Sequence, residues 1–211
     1  MENTTQTLAD FCVQTNYDKI PTEVVERTKL LILDTVGIII RARHDSESTP
    51  SMLAAVGKLG LDKGDCHVFG DKTTYSPATA ALINATLAHS LDFDDTHAEA
   101  SIHASAPIVP AAIAAAEMVG ASGRDLITAC VVGYEIHVRL GKAVGAADHY
   151  IRGFHPTATC GIFAAVAAVA KILKLSDAQT VSAFGIALSQ TAGAMQFLKD
   201  GAWTKRLHVG Q

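Results

Sequence analysis

Two stretches of this chain, "PIVPAAIAAAEMVG" from Pro107 and "PTATCGIFAAVAAVAKILKL" from Pro156, carry small or apolar side chains nearly all the way round a helical wheel. A helix of that kind has no polar face to offer water, so it belongs inside a domain built of other helices. Alanine and glycine also let helix axes approach to the short end of the usual range, about 8 Å. "ATAALINATLAHSLDF", "GRDLITACVVGYEIHVRLGKAVG" and "SDAQTVSAFGIALSQTAGAM" share the habit, each punctuated by Gly, Pro or Ser. Further helices are expected around Leu8 to Val13, from Pro21 and Thr22 through "PTEVVERTKLLILDTVGIII", and over Ser51 to Leu59, which Gly60 ends. Only "CHVFGDKTTYSP", Cys66 to Pro77, has strand or loop character. The pattern predicts an all-α fold, a compact domain of buried Ala-rich helices over residues 1–211, with no internal linker or repeat.

Composition narrows the function. Hydrophobic residues make up 49% and charged residues 18% of the 211, enough for a sizeable core and too apolar for disorder. A net charge of -4 argues against a nucleic-acid partner, whose phosphates need a basic stripe. The apolar run Ala158 to Ala170 is shorter than the ~20 residues of a membrane span, so no membrane partner is expected. The N-terminus shows no secretory signal pattern. Cys12, Cys66, Cys130 and Cys160 form no C-x-x-C pair and read as buried thiols of a reducing, cytoplasmic compartment. The closing "WTKRLHVGQ" has no cap or tail and reads as an interruption.

Three places gather chemistry. If the helix that begins near Ala78 continues, Asp92, Asp95 and Thr96 sit at i, i+3 and i+4 and share a face. Acids at a helix C-terminus oppose the macrodipole, the kind of local conflict expected at a functional site. His103 and His155 each precede a proline-marked, Ala-rich helix. Pro156 places His155 at or just outside its helix start, where the positive field favours a neutral imidazole and can hold a carboxylate. "TKRLHVG" crowds Lys205, Arg206 and His208, either as a solvated surface or as a loop turned inward to hold an anion. Acids, neutral bases and cations among buried helices suit proton abstraction beside a carboxylate, with the developing enolate charge stabilised by lysine and helix N-termini.

"AHSLDFDDTH", the histidine at 103, "GFHPTATCG" and "TKRLHVG", in this order and spacing, resemble the MmgE/PrpD family from about Leu8 to Gln211. That family includes 2-methylcitrate dehydratases, cis-aconitate decarboxylases and an iminodisuccinate epimerase. The resemblance implies a helical domain that carries the site and a smaller α/β lid domain that this chain lacks. It also implies a homodimer working without a metal or an organic cofactor. Residue by residue, it puts catalytic roles on Asp92, His103, His155 and Lys205 and substrate contacts on Thr96, Thr157 and His208. The loop "HAEASI" between Thr96 and His103 lacks the proline of some members.

The expected function is a lyase-type domain acting on a small di- or tricarboxylate, by dehydration or decarboxylation, with epimerisation as a variant. One alternative is an inactive half that dimerises or needs a separate chain carrying the lid. Another is metal-dependent phosphate or diphosphate chemistry around "DFDD" and His89.

Overall fold

A computed structural model describes residues 3–211. Among them are eleven α-helices and two minimal hairpins, an all-α architecture as the pattern predicts. In chain order they are α1 (Thr4–Gln14), α2 (Thr22–Asp45), α3 (Thr49–Lys58), β1 (Cys66–His67), β2 (Thr74–Tyr75), α4 (Pro77–Ala88), β3 (Thr96–His97) and β4 (Ile102–His103). After these come α5 (Ser105–Val119), α6 (Gly123–Ala143), α7 (Ala146–Ile151), α8 (Pro156–Ile172), α9 (Asp177–Gln190), α10 (Phe197–Asp200) and α11 (Thr204–Gly210). No helix among the described residues is long and apolar enough to cross a membrane.

The centre is a row of small-residue helices. α5 packs on α4 and on α8, and α8 packs most extensively on α6. Such proximity requires missing side chains: a Cβ on Gly133 of α6 would stand 2.7 Å from Ile108 Cγ2 and 3.2 Å from the Ala164 carbonyl oxygen. Ile108, Val109, Ala112, Ala164 and Ala168 fill the α5–α6–α8 seam, and all are below 1% exposed. A second cluster, with Ile39, Val68, Ile83 and Leu87, joins α2 and α4 to the β1–β2 hairpin. The buried amide of Asn84 fixes that hairpin, accepting from Phe69 N at 3.1 Å and donating to the His67 carbonyl at 2.9 Å. The four cysteines are free and buried.

Two expectations are corrected. α4 ends at Ala88, so Asp92, Asp95 and Thr96 share no helix face. The reason is local: His89 is the C-cap, and the Ser90 hydroxyl donates to the Thr86 carbonyl at 2.6 Å, occupying an end group of the helix. The chain then turns through Asp92, whose φ of 54° lies in the left-handed region. Second, "TKRLHVG", open between a solvated surface and an inward loop, is a helix. It forms α11, which is short and lies along α4. Its close seat depends on Gly210, where a Cβ would stand 2.2 Å from Thr86 Oγ1 and 2.7 Å from the Leu82 carbonyl oxygen.

Candidate active site

The acid-rich segment after α4 folds into the β3–β4 hairpin, which pairs Thr96 with His103 and His97 with Ile102. The three aspartates divide three tasks. Asp95 accepts from Ser105 N at 2.9 Å, so it caps the start of α5. One of the free N–H groups at the start of α5 is thereby taken by the chain's own carboxylate. Burial pushes the Asp95 carboxyl up, against the pull of the Ser105 donors. Asp94 is buried, its side chain 1% exposed, and binds two imidazoles. Asp92 is 59% exposed and pairs with the Lys205 ammonium, brought across from α11. Burial opposes the charge on Asp92, but Lys205 outweighs it and holds the carboxyl below its ordinary value.

His89 and His103 flank Asp94. His89 Nδ1 lies 2.7 Å from Asp94 Oδ2. His103 Nδ1 lies 3.2 Å from Asp94 Oδ1 and 3.3 Å from the Asp94 main-chain oxygen. The hydrogen-bond geometry at His103 is better toward the carbonyl, yet both neighbours are acceptors, so either way the hydrogen belongs on Nδ1. His103 Nε2 then faces Asp92 Oδ1 at 4.0 Å. Burial disfavours a charged His103 ring, but Asp94 outweighs it and raises the ring above its ordinary pKa. The same contacts hold Asp94 well below the usual carboxylate range despite its desolvation.

His155 completes the group from α8. It sits at the N-cap position with extended backbone, as Pro156 predicts, and its N–H donates to the Gly193 carbonyl at 2.8 Å. Its ring stacks on His89, centroids 5.6 Å apart, while His103 meets His89 edge-on at 4.7 Å. Burial, followed by the charges of His89 and Lys205, pushes His155 down to about 3. Its Nδ1 is buried without a hydrogen-bond partner among the described residues.

The structure thus brings Asp92, His103, His155 and Lys205 together. Thr96 is exposed and sits opposite His103 across the hairpin. Thr157 is fully buried, and its hydroxyl accepts from His103 N at 3.0 Å, which anchors the histidine's main chain. His208 is one ring removed: Phe197 packs against His155 at 5.7 Å and against His208 at 6.2 Å. His208 also lines an apolar cavity of about 820 Å³ between α4, α8 and α9. Sequence reasoning gave Asp94 and His89 a role only in the metal alternative, through "DFDD" and His89. Both lie inside the quoted "AHSLDFDDTH", but only burial distinguishes Asp94 from its exposed neighbour. One ligand atom from each of His89, Asp92, Asp94 and His103 falls within 4.8 Å of the others, a span that a divalent ion could bridge. The cation that meets Asp92 in this structure is Lys205.

The chain also resembles known proteins over most of its length. The model of the MmgE/PrpD N-terminal domain matches residues 6–211. The chain is 33% identical over 218 residues to a cis-aconitate decarboxylase-like protein, oryM, of Aspergillus oryzae, covering 98% of this chain and 44% of that one. It is 32% identical over 198 residues to cis-aconitate decarboxylase of Aspergillus terreus, covering 92% of this chain and 40% of the relative. With cis-aconitate decarboxylase of Homo sapiens the identity is 32% over 192 residues, 89% of this chain and 39% of the relative. The chain therefore spans less than half the length of these relatives. By the extent of these matches, this chain belongs to the MmgE/PrpD family.

Proposed function

We propose that this chain is the site-bearing helical domain of a lyase acting on small di- or tricarboxylates, of the cis-aconitate decarboxylase or 2-methylcitrate dehydratase type. The observation that carries the reading is one cluster in which two imidazoles have opposite surroundings. His103 faces the Asp94 carboxylate, which favours its charged form, while His155 is stacked on His89 and buried with Nδ1 unpartnered, which favours its neutral form. Titratable neighbours driven apart in this way divide naturally into an acid and a base. His155 is the neutral base, and protonated His103 is the acid. Lys205, which now meets the Asp92 carboxylate, is the cation that receives a substrate carboxylate, with Asp92 keeping the ammonium charged and placed.

In a dehydration, His155 takes the proton from the carbon beside a carboxylate and His103 protonates the departing hydroxyl. In a decarboxylation, carbon dioxide leaves with its bond pair on the substrate, and His103 delivers its proton to that carbon. Both routes build negative charge beside Lys205 and His103, where positive charge is already fixed, so no metal is required. Asp92 is exposed, so the site opens to water at that edge. Exclusion of water then falls to a lid, from further polypeptide or from a separate chain, and the assembled enzyme is a homodimer.

The test is turnover of cis-aconitate and 2-methylcitrate by the chain, alone and mixed with a polypeptide supplying the lid. Activity is expected in the mixture, unaffected by chelators. His155→Ala is expected to abolish it while circular dichroism stays native. Wild-type turnover by that variant, or no turnover of either acid in any arm, defeats the reading. Activity that chelators remove favours the metal-dependent alternative.

A further inference from the structure

We infer that Asp94 is the positioning residue of His103: its carboxylate and its main-chain oxygen together keep the hydrogen on Nδ1 and turn Nε2 to the open side of the site, while His89 holds Asp94 in place from behind. The geometry carries this. Asp94 is too deeply buried to meet a substrate, and its two oxygens face two different rings, Oδ1 toward His103 and Oδ2 toward His89. An ionised carboxylate only accepts, so each facing Nδ1 must bear a hydrogen. The remaining nitrogen of His103 is thereby fixed as the one that looks toward Asp92 and Lys205.

Two further contacts keep the ring from swinging away. The His103 main chain is tied to Thr157 on α8, and the hairpin pairs His103 with Thr96. A ring so held presents one nitrogen in one orientation, as transfer of a proton at a defined atom requires. His89 is also a competitor. Its donation to Oδ2 draws down the basicity of Asp94 and so limits how firmly His103 keeps its proton.

The charged or titratable neighbours of His103 are Asp92, Asp94 and Asp95 on the loop, Lys205 on α11, His89 at the end of α4, His137 on α6 and His155 at the start of α8. Lys205, His137 and His155 give no reason for a raised value, Asp95 is engaged with the Ser105 N–H, and Asp92 stands off at 4.0 Å, engaged with Lys205. Asp94 is left as the determinant, through its carboxylate and its main-chain oxygen together.

The inference deepens the lyase reading by naming what maintains its acid, but it can be tested without turnover. The experiment is imidazole ¹H–¹⁵N correlation spectroscopy of the ¹⁵N-labelled chain from pH 5 to 9, with His103 assigned by its loss in His103→Gln. The wild-type ring is expected to titrate above 6.5 and, once neutral, to carry its hydrogen on Nδ1. Asp94→Asn removes the carboxylate charge and keeps the main-chain acceptor, so it is expected to lower that midpoint by about one pH unit or more. His89→Phe is expected to move the midpoint the other way, upward. A folded Asp94→Asn chain with an unchanged midpoint overturns the inference. If Asp94→Asn does not fold, His89→Phe decides: a midpoint that stays or falls overturns it. A lyase assay that fails while these shifts appear removes the function and leaves the positioning role standing.

Discussion

At the level of single residues, burial sorts groups that look alike on paper. Asp92, Asp94 and Asp95 are near neighbours in the chain, yet one pairs with a lysine, one orders two imidazoles and one caps a helix. The same sorting governs the thiols. Burial pushes Cys12 and Cys130 up to about 12 and Cys160 up to about 11, and Cys66 is raised as well. A thiolate is the reactive form, so none of the four is expected to react with an aromatic disulfide reagent at pH 8 in the native chain. All four should react after unfolding in guanidinium, and rapid native labelling of any of them would contradict the burial described. Their burial was legible in the sequence, because lone cysteines in an apolar chain default to the core. The role of Asp94 was not, because nothing in "DFDD" says which carboxylate turns inward.

Among the elements, a boundary written by one strong backbone rule was readable and those written more weakly or from afar were not. Pro156 forces the residue before it out of helical geometry, so the start of α8 at His155 follows from two letters. The end of α4 is also set locally, by the His89 C-cap and the Ser90 hydroxyl on the Thr86 carbonyl, but neither residue breaks a helix by rule as proline does. α11 escaped notice as a helix because its support is distant. It is seven residues long, and a helix that short is stable only on a partner surface. That surface is α4, and Gly210 is the fitting point. Gly210→Ala should gain up to ~1 kcal/mol of helix propensity, yet it is expected to destabilise the chain. The added methyl has to displace α11 from Thr86 and the Leu82 carbonyl. A lowered melting temperature together with an Asp92 carboxyl that returns toward its ordinary value, read by carbon NMR, checks it. An unchanged Asp92 would show that α11 is held by other contacts.

For the molecule as a whole, buried imidazoles set the response to acid. His155 and His137 are held neutral, with folded values near 3 and near 4 against an ordinary 6.5. Between those limits the unfolded chain binds more protons than the folded one, so their contribution is complete above about pH 6.5 and is lost as pH falls. Asp94, depressed in the fold, adds a loss below its ordinary 3.8. His103, raised in the fold, acts in the other sense and favours the folded state most below 6.5. Two buried rings outweigh one, so the melting temperature is expected to be highest near neutrality and to fall steadily from pH 6.5 to 4. Differential scanning calorimetry across that range checks it, and a flat profile would mean that His155 and His137 are hydrated.

The reach of Lys205 has a consequence for how the molecule comes into being. His89, Asp94 and His103 lie within one short run of chain, whereas the Lys205–Asp92 contact closes a loop of 113 residues. Short loops cost less entropy to close, so the carboxylate–imidazole nest can organise early, and the ammonium arrives only when the last helix settles. Until that moment Asp92 stands without its ammonium partner, so the charge at the mouth of the cluster is fixed last of all.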